Sequence, residues 1–209
     1  TIEYLDLGGG YATSNTLHGQ LLPGALMVPP PDVYAEAICS PLKAALRRFR
    51  RRPRLILEPG RALVDEAVSL LVSVVSVKTM ADGRRGVIVD GGINLLPSAY
   101  YFCHEIAAVR EGDGEDEEAD IYGPLCMQID VLRQAVVLPP LQRGGILVFK
   151  HAGAYTISNS IQFIYPRPPI VMVTDGRMHL LRRAEAGADL LRLDEIPAHL
   201  APGRGRGAG

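Results

Sequence analysis

Two short apolar segments, each followed at once by a loop of glycine or charged residues, constrain the fold of this chain most. The first segment, residues 1–7, runs into the triglycine 8–10, and the second, residues 55–57, runs into the loop 58–61. Short apolar runs of this length are typical of buried parallel strands. Apolar side chains recur every three or four residues over 33–51, which predicts a helix between the strands. This order of strand, glycine loop, helix, strand and charged loop indicates a β/α barrel.

Within the predicted helix, Asp32 is a candidate N-cap, and Pro41 predicts a kink or break. Only about two strand–helix units are present, whereas a barrel needs eight. We therefore expect the remaining barrel units to lie upstream of residue 1.

From residue 67 onward the pattern changes to β-rich runs. They are residues 68–79, 86–90, 146–149, 160–164, 170–174 and 177–183. Turn pairs such as Asp82-Gly83 and Asp175-Gly176 predict hairpins between strands of this kind. The predicted fold class is therefore α/β plus all-β: the last strands and helices of a β/α (TIM-like) barrel, followed by an antiparallel β-sheet or β-barrel domain.

The predicted domain boundaries follow this change of pattern. Residues 1–64 form the end of the barrel, residues 65–196 a β-rich domain, and residues 197–209 a disordered tail, since 202–209 are rich in glycine. The acidic, glycine-containing segment 110–120 is expected to be a solvated loop between strands.

Charge and cysteine content exclude several classes of protein. Lys plus Arg (22) and Asp plus Glu (23) nearly cancel, so no overall field attracts nucleic acid or an anionic membrane. The arginine-rich run 47–54 is expected to be a solvated helix end. The three cysteines show no Cys-x-x-Cys spacing, so neither a disulfide framework nor a metal site is predicted, and a cytoplasmic location fits best. The longest apolar stretch, 67–77, is too short to span a bilayer.

The two loops that end the predicted strands hold candidate ligand-binding groups. Glycines after barrel strands let bare backbone N–H groups approach a phosphate, although glycine turns after strands are also common for structural reasons. Glu58 and Arg61 end the next strand at the same barrel face. They could form a structural salt bridge, or Arg61 could bind the phosphate of a pyridine cofactor while Glu58 keeps its ring nitrogen protonated.

Five motifs in order resemble one known family. They are Leu5-Asp6-Leu7-Gly8-Gly9-Gly10-Tyr11, Leu57-Glu58-Pro59-Gly60-Arg61, Val89-Asp90-Gly91-Gly92-Ile93-Asn94, Tyr122-Gly123-Pro124-Leu125-Cys126 with Asp130, and Gly153-Ala154-Tyr155-Thr156. Together they are similar to the fold-type III, pyridoxal-phosphate (PLP) dependent decarboxylases of diaminopimelate, ornithine and arginine. The similarity covers residues 1 to about 193.

The resemblance implies a set of site residues. The cofactor-binding residues would be Gly8, Gly9, Gly10, Glu58, Arg61 and Tyr155, with Glu58 at the pyridine nitrogen and the others at the phosphate. The catalytic residues would be Cys126 and Asp130, with Cys126 reaching into the active site of the partner in a homodimer.

The residues alone leave more modest interpretations open. A single cysteine on an apolar stretch is usually a small core residue, and Tyr155 could be a partly buried aromatic with a bonded hydroxyl. His18 and His151 lie next to motifs, yet structural histidines are the simpler interpretation.

Two departures from the family limit the functional expectation. The lysine that carries the cofactor lies upstream in the family, and Lys43, Lys78 and Lys150 do not occupy a matching motif, so this chain alone should not turn over substrate. The family's diaminopimelate enzymes carry Cys-Glu-Ser-Gly-Asp and an Arg-Pro pair, whereas this chain has residues 126–130 as Cys-Met-Gln-Ile-Asp and 95–97 as Leu-Leu-Pro.

Without that arginine a second substrate carboxylate loses its bidentate partner, which disfavours meso-diaminopimelate. The two stretches look more like family members of siderophore and antibiotic biosynthesis. The expected function is decarboxylation of an amino acid or a similar biosynthetic intermediate. The alternatives are an amino-acid racemase or a non-catalytic regulatory homologue of the same fold.

Overall fold

The structure, a computed structural model, describes residues 2–109 and 114–200. Its described helices are α1 (Gly24–Met27), α2 (Pro31–Ala45), α3 (Gly60–Val64) and α4 (Gly187–Leu190). Its described strands are β1 (Tyr4–Asp6), β2 (Thr16–Leu17), β3 (Arg54–Ile56), β4 (Leu70–Thr79), β5 (Arg85–Val89), β6 (Phe102–Cys103), β7 (Ile106–Ala108), β8 (Glu117–Tyr122), β9 (Val131–Leu138), β10 (Ile146–Phe149), β11 (Ile170–Thr174) and β12 (Arg177–Arg182). Short 3-10 helices cover Leu46–Arg48, Asp65–Ala67 and Pro97–Tyr100. The chain divides into two compact units, Thr1–Ile161 and Gln162–Gly209.

In the first unit, the two predicted N-terminal strands are present and pair in parallel. β1 lies beside β3 with Leu5 opposite Leu55. Helix α2 connects them, as the apolar periodicity predicts. Two paired strands do not establish a barrel, so the barrel stays a prediction.

The predicted bounds of α2 were wrong at both ends. Pro30 is the N-cap and Pro31 begins the helix, because proline lacks the N–H that the first turn leaves without a partner. Asp32 therefore lies in the first turn and is not the cap. The helix runs through Pro41 and ends at Ala45, where a 3-10 turn follows.

A six-stranded sheet with the order β7-β10-β4-β5-β8-β9 forms the centre of the first unit. Residues 70–73 of β4 pair with β10, and residues 74–79 pair with β5, with an irregularity in register between Val74 and Ser76. The predicted antiparallel arrangement is wrong for one pair, since β5 and β8 run parallel. A parallel pair needs a crossover between its strands, and the described part of this connection, residues 90–109 and 114–116, contains β6, β7 and the 3-10 helix Pro97–Tyr100.

The core lies against this sheet. Alternate residues of the strands point inward, as the two-residue period of a strand requires, so Val72 and Val74 of β4 and Val87 and Val89 of β5 are all buried. The other buried members are Leu96, Ala99, Ala119, Ile121, Leu132, Leu138, Leu147, Phe149 and Ala152.

Two sequence predictions in the β-rich region were wrong. The acidic segment 110–120 was expected to be a loop. Residues 110–113 lie outside the described residues, and the prediction is wrong for 117–120, because β8 begins at Glu117 and Asp120 is buried on it. Arg84 bonds the Asp120 carboxylate at 2.7 Å, which lets a charged side chain lie inside a strand. Residues 160–164 were expected to be a strand and form none in the structure, where Ile164 has a positive φ of 66°.

The second unit contains the hairpin β11–β12 and helix α4. Asp175 and Gly176, the two residues between the strands, both have positive φ, as a two-residue hairpin turn of type I′ requires. Asp189 of α4 bonds Arg183, and this contact lowers the pKa of the Asp189 carboxyl below its usual range. Residues 201–209 of the predicted tail lie outside the described residues.

Among residues 2–109 and 114–200, none of the helices combines the length and the apolar character that a membrane crossing needs.

Candidate active site

The triglycine loop packs against the backbone that follows β3. The Glu58 N–H donates to the carbonyl oxygen of Gly8 at 2.8 Å. A Cβ atom built at Gly9 would lie 2.5 Å from the Glu58 carbonyl oxygen, so a side chain there would force the two loops apart. Gly8 and Gly10 have φ values of 67° and 85°, which glycine adopts without strain. The predicted close approach of the two motifs is therefore present.

A cavity of about 640 Å³ lies between these loops, residues of the segment 11–28, and the side chains of Phe102 and Tyr155. The predicted cofactor-binding residues that line it are Gly9, Gly10, Glu58, Arg61 and Tyr155. Gly8 belongs to the same loop but is not part of the lining. The structure thus brings residues from three separate motifs to one cavity.

The guanidinium of Arg61 lies close to two aromatic rings at this cavity. Its central carbon is 4.4 Å from the centroid of Phe102 and 5.2 Å from that of Tyr155. A third contact joins its Nη1 to the Asp65 carboxylate at 3.4 Å. The two rings contact the guanidinium through their faces and accept no conventional hydrogen bond from it. Most of the guanidinium N–H groups therefore stay available to an anion.

Asp65 is a site residue that the sequence reasoning missed. It is only 1% exposed, and its carboxylate accepts hydrogen bonds from Thr13 and Asn15 as well as from Arg61. The four-residue spacing between Arg61 and Asp65 was the signal that could have revealed the pair.

The segment 151–156 holds Tyr155 at the cavity in an uncommon backbone conformation. His151 and Tyr155 have positive φ values of 54° and 57°, which cost free energy in residues other than glycine. A Cβ atom at Gly153 would lie 1.6 Å from the carbonyl oxygen of Val64, so this motif packs directly on the chain that follows Arg61. The packing of Gly153 on Val64 therefore keeps the exposed ring of Tyr155 at the cavity.

The structure does not bring Cys126 and Asp130 to this cavity; neither belongs to its lining among the described residues. Cys126 is exposed. Asp130 is 3% exposed, and its two carboxylate oxygens accept bonds from the N–H groups of Ile93 and Leu125, both at 2.7 Å. Asp130 thus ties two motif loops together, and a catalytic role for it stays a prediction.

The histidines near the motifs have structural contacts. His18 Nε2 bonds the carbonyl of Ala99 at 2.9 Å, and its Nδ1 faces the thiol of Cys103 at 3.3 Å. His151 Nε2 lies 3.5 Å from the carboxylate of Glu105.

His104 is buried in a short chain of polar groups. Its ring nitrogens contact the Ser98 hydroxyl and the Lys150 carbonyl, each at 2.9 Å. Burial lowers the pKa of His104, although the bond to the carbonyl opposes this effect. The ring is therefore held neutral near pH 7.

The family described as "Pyridoxal-dependent decarboxylase, C-terminal sheet domain" matches residues 34–153. The chain is 34% identical over 203 residues to the diaminopimelate decarboxylase of Methanothermobacter thermautotrophicus, covering 95% of this chain and 45% of that protein. It is 33% identical over 198 residues to the Bacillus subtilis diaminopimelate decarboxylase, covering 92% and 43%. The chain therefore spans less than half the length of these relatives.

The same likeness holds in three dimensions. The crystal structure of the diaminopimelate decarboxylase of M. jannaschii is similar with a TM-score of 0.78 at 30% identity, covering 95% of this chain and 44% of that one. The lysine/ornithine decarboxylase of Vibrio vulnificus, complexed with cadaverine, has a TM-score of 0.58 at 26% identity, covering 77% and 40%. The chain belongs to the pyridoxal-dependent ornithine, diaminopimelate and arginine decarboxylase family.

Proposed function

We propose that this chain is part of a longer PLP-dependent decarboxylase of an amino acid or a similar biosynthetic intermediate. The observation that carries the proposal is the common cavity, in which the glycine loop, Glu58, Arg61 and Tyr155 meet although they lie up to 146 residues apart in sequence (9 to 155). Family membership supports the same activity.

The residues of the cavity suit a phosphorylated pyridine. The backbone of the triglycine loop offers N–H groups without side chains in front of them. Among the described residues, no hydrogen-bond partner is present for the Glu58 carboxylate or for the Tyr155 hydroxyl, so both are free to bind a ligand. Arg61 supplies positive charge with most of its N–H groups unused.

Bound PLP supplies an electron sink for the pair of electrons that decarboxylation leaves on the substrate. Arg61 and the glycine loop would bind the phosphate, and Tyr155 would donate its hydroxyl hydrogen to the same group. The Glu58 carboxylate would hold a proton at the pyridine nitrogen, which strengthens that sink. Together these groups would hold the cofactor in one orientation in the cavity.

A longer polypeptide is needed for turnover in this proposal. The family's lysine lies upstream of the motifs present here, and the parallel pair β1–β3 supplies only two strands. We propose that residues 1–64 complete a β/α barrel whose other strands precede them, and that residues 65–196 form the sheet domain.

We further propose a homodimer in which Cys126 serves the partner's site. The exposed position of Cys126, away from the lining of its own cavity, supports this arrangement. Mixing a Cys126→Ala homodimer with an Arg61→Ala homodimer tests it. Mixed dimers are expected to regain activity, because one of their two sites keeps both residues. No recovery under conditions that exchange subunits would contradict the shared site.

For the substrate, we propose an amino acid other than meso-diaminopimelate. The support is the absence of the arginine that would bind a second carboxylate: the loop after Asn94 carries Leu95 and Leu96, and Leu96 is fully buried. Three of the four similar proteins are diaminopimelate decarboxylases and the fourth is a lysine/ornithine decarboxylase, so they give no support to a narrower role in siderophore or antibiotic biosynthesis. Carbon dioxide release from meso-diaminopimelate, L-lysine and L-ornithine would test this choice.

The experiment for the proposed activity uses the full-length protein with PLP. Carbon dioxide release from an amino-acid panel is measured for the wild type and for Glu58→Gln. We expect the substitution to lower kcat strongly and to leave PLP bound, since only the ring-nitrogen contact changes. Full activity in Glu58→Gln, or no decarboxylation of any tested compound by the PLP-loaded wild type, would contradict the proposal.

A further inference from the structure

We propose that Asp65 is a positioning residue that orients Arg61 for the cofactor phosphate. This inference rests on the proposed function, because it assigns the phosphate to the cavity described above. It concerns a side chain outside the family motifs that the sequence analysis identified.

The first support is the way in which Arg61 is held. The two aromatic rings fix the plane of its guanidinium through their faces, at 4.4 and 5.2 Å. A contact through a ring face does not select which N–H points where. Within the described part of the chain, the bond to Asp65 is the one hydrogen bond that Arg61 makes. Asp65 therefore sets which N–H groups of Arg61 face the cavity.

The second support is the rigidity of Asp65 itself. One carboxylate oxygen accepts bonds from Thr13 Oγ1 at 2.8 Å and Asn15 Nδ2 at 2.9 Å. The other accepts the backbone N–H of Ala154 at 3.3 Å in addition to Arg61. The four donors come from three chain segments and surround a side chain that is almost fully buried. A carboxylate fixed in this way gives Arg61 a fixed partner.

The third support is that Asp65 also holds the segment that carries Tyr155. The Asp65 carboxylate accepts the N–H of Ala154, the residue before Tyr155, at 3.3 Å. Tyr155 in turn lies against Arg61. A substitution of the Asp65 side chain therefore changes the contact to Arg61 and the contact to the segment that carries Tyr155.

The test compares the binding of PLP with that of pyridoxal, which lacks the phosphate, in the full-length protein. The ratio of the two dissociation constants measures recognition of the phosphate alone. We expect Asp65→Asn to weaken PLP binding about tenfold, the loss of one charge-assisted contact, and to change pyridoxal binding little. Where Asp65→Asn does not fold, Asp65→Glu keeps the buried charge and displaces the carboxylate, with the same expected loss of discrimination.

A matched control is available in Asp120→Asn. Asp120 is equally buried and also pairs with an arginine, but that arginine, Arg84, does not line the cavity, whereas Arg61 does. This control should lower the melting temperature without changing the ratio. A second control places Asp65→Asn in an Arg61→Ala background, where it should no longer affect PLP binding, because the group that it orients is gone.

The outcomes separate the inference from the proposed function. If the wild type does not prefer PLP over pyridoxal, the proposed function fails, and the inference fails with it. If the wild type prefers PLP but Asp65→Asn weakens both ligands equally, or keeps its full effect without Arg61, Asp65 is only structural and the inference alone is overturned.

Discussion

Replacing Asp130 by alanine should cost the protein about 3–6 kcal/mol of folding free energy. The carboxylate accepts two backbone N–H groups, those of Ile93 and Leu125, and hydrogen bonds to charged groups are each worth about 1.5–3 kcal/mol. Both N–H groups would stay buried without a partner in the variant. Chemical unfolding of Asp130→Ala is compared with that of Asp116→Ala, which removes an exposed carboxylate and should be nearly neutral.

A double variant tests the close contact between Gly123 and the Asp130 carboxylate. A Cβ atom at Gly123 would lie 2.2 Å from the Asp130 carboxylate, so Gly123→Ala alone should destabilise the protein by about 1–3 kcal/mol through overpacking. Once Asp130 is alanine the obstacle is gone, and the second substitution should cost far less. Additive losses in the double variant, or an Asp130→Ala protein as stable as the wild type, would refute this reasoning.

Three further predictions concern single positions. Gly153→Ala should lower the melting temperature sharply, because its Cβ would meet a carbonyl oxygen at 1.6 Å, whereas Gly60→Ala meets nothing within 4 Å and should be neutral or slightly stabilising. The lowered pKa of His104 means that the unfolded chain binds the proton more readily, so its contribution to stability is complete above about pH 6.5 and is lost as the pH falls toward the folded pKa. Melting temperatures measured from neutral to acidic pH should fall less steeply in His104→Gln, and an unchanged slope would contradict this. His18 Nε2 bonds the Ala99 carbonyl, so its Nδ1 can accept a hydrogen bond from the Cys103 thiol. His18→Phe removes this contact and should slow alkylation of Cys103 by iodoacetamide, as mapped by mass spectrometry; an equal rate would contradict the pairing.

Local patterns in the sequence were sufficient for some of the strands, namely β1, β3, β4, β5, β10, β11 and β12. The hairpin β11–β12 and the parallel pair β1–β3 follow from short apolar runs that end in turn residues. Glycines next to β1 and charges next to β3 meet because the ends of neighbouring parallel strands share one edge. The meeting of Glu58, Arg61 and Tyr155 was predicted from the resemblance, since no periodicity links residues so far apart.

What the sequence did not reveal depends on contacts between distant residues. β8 looked like a loop because its acidic residues lower the local hydropathy, and only the distant Arg84 makes a buried Asp120 acceptable. Asp65 resembled an ordinary charged residue after a helix, because its partners Thr13 and Ala154 come from opposite ends of the first unit. The parallel pairing of β5 with β8 likewise depends on a crossover that has no local signal.

The central claim is that one PLP molecule binds among the triglycine loop, Glu58, Arg61 and Tyr155. A crystal structure of the full-length protein with PLP tests it most directly. The account predicts phosphate oxygens within hydrogen-bond distance of Arg61 and of the backbone N–H groups of the glycine loop, with the pyridine nitrogen at the Glu58 carboxylate. A phosphate bound elsewhere, with Arg61 still turned to Asp65 and the aromatic rings alone, would contradict it.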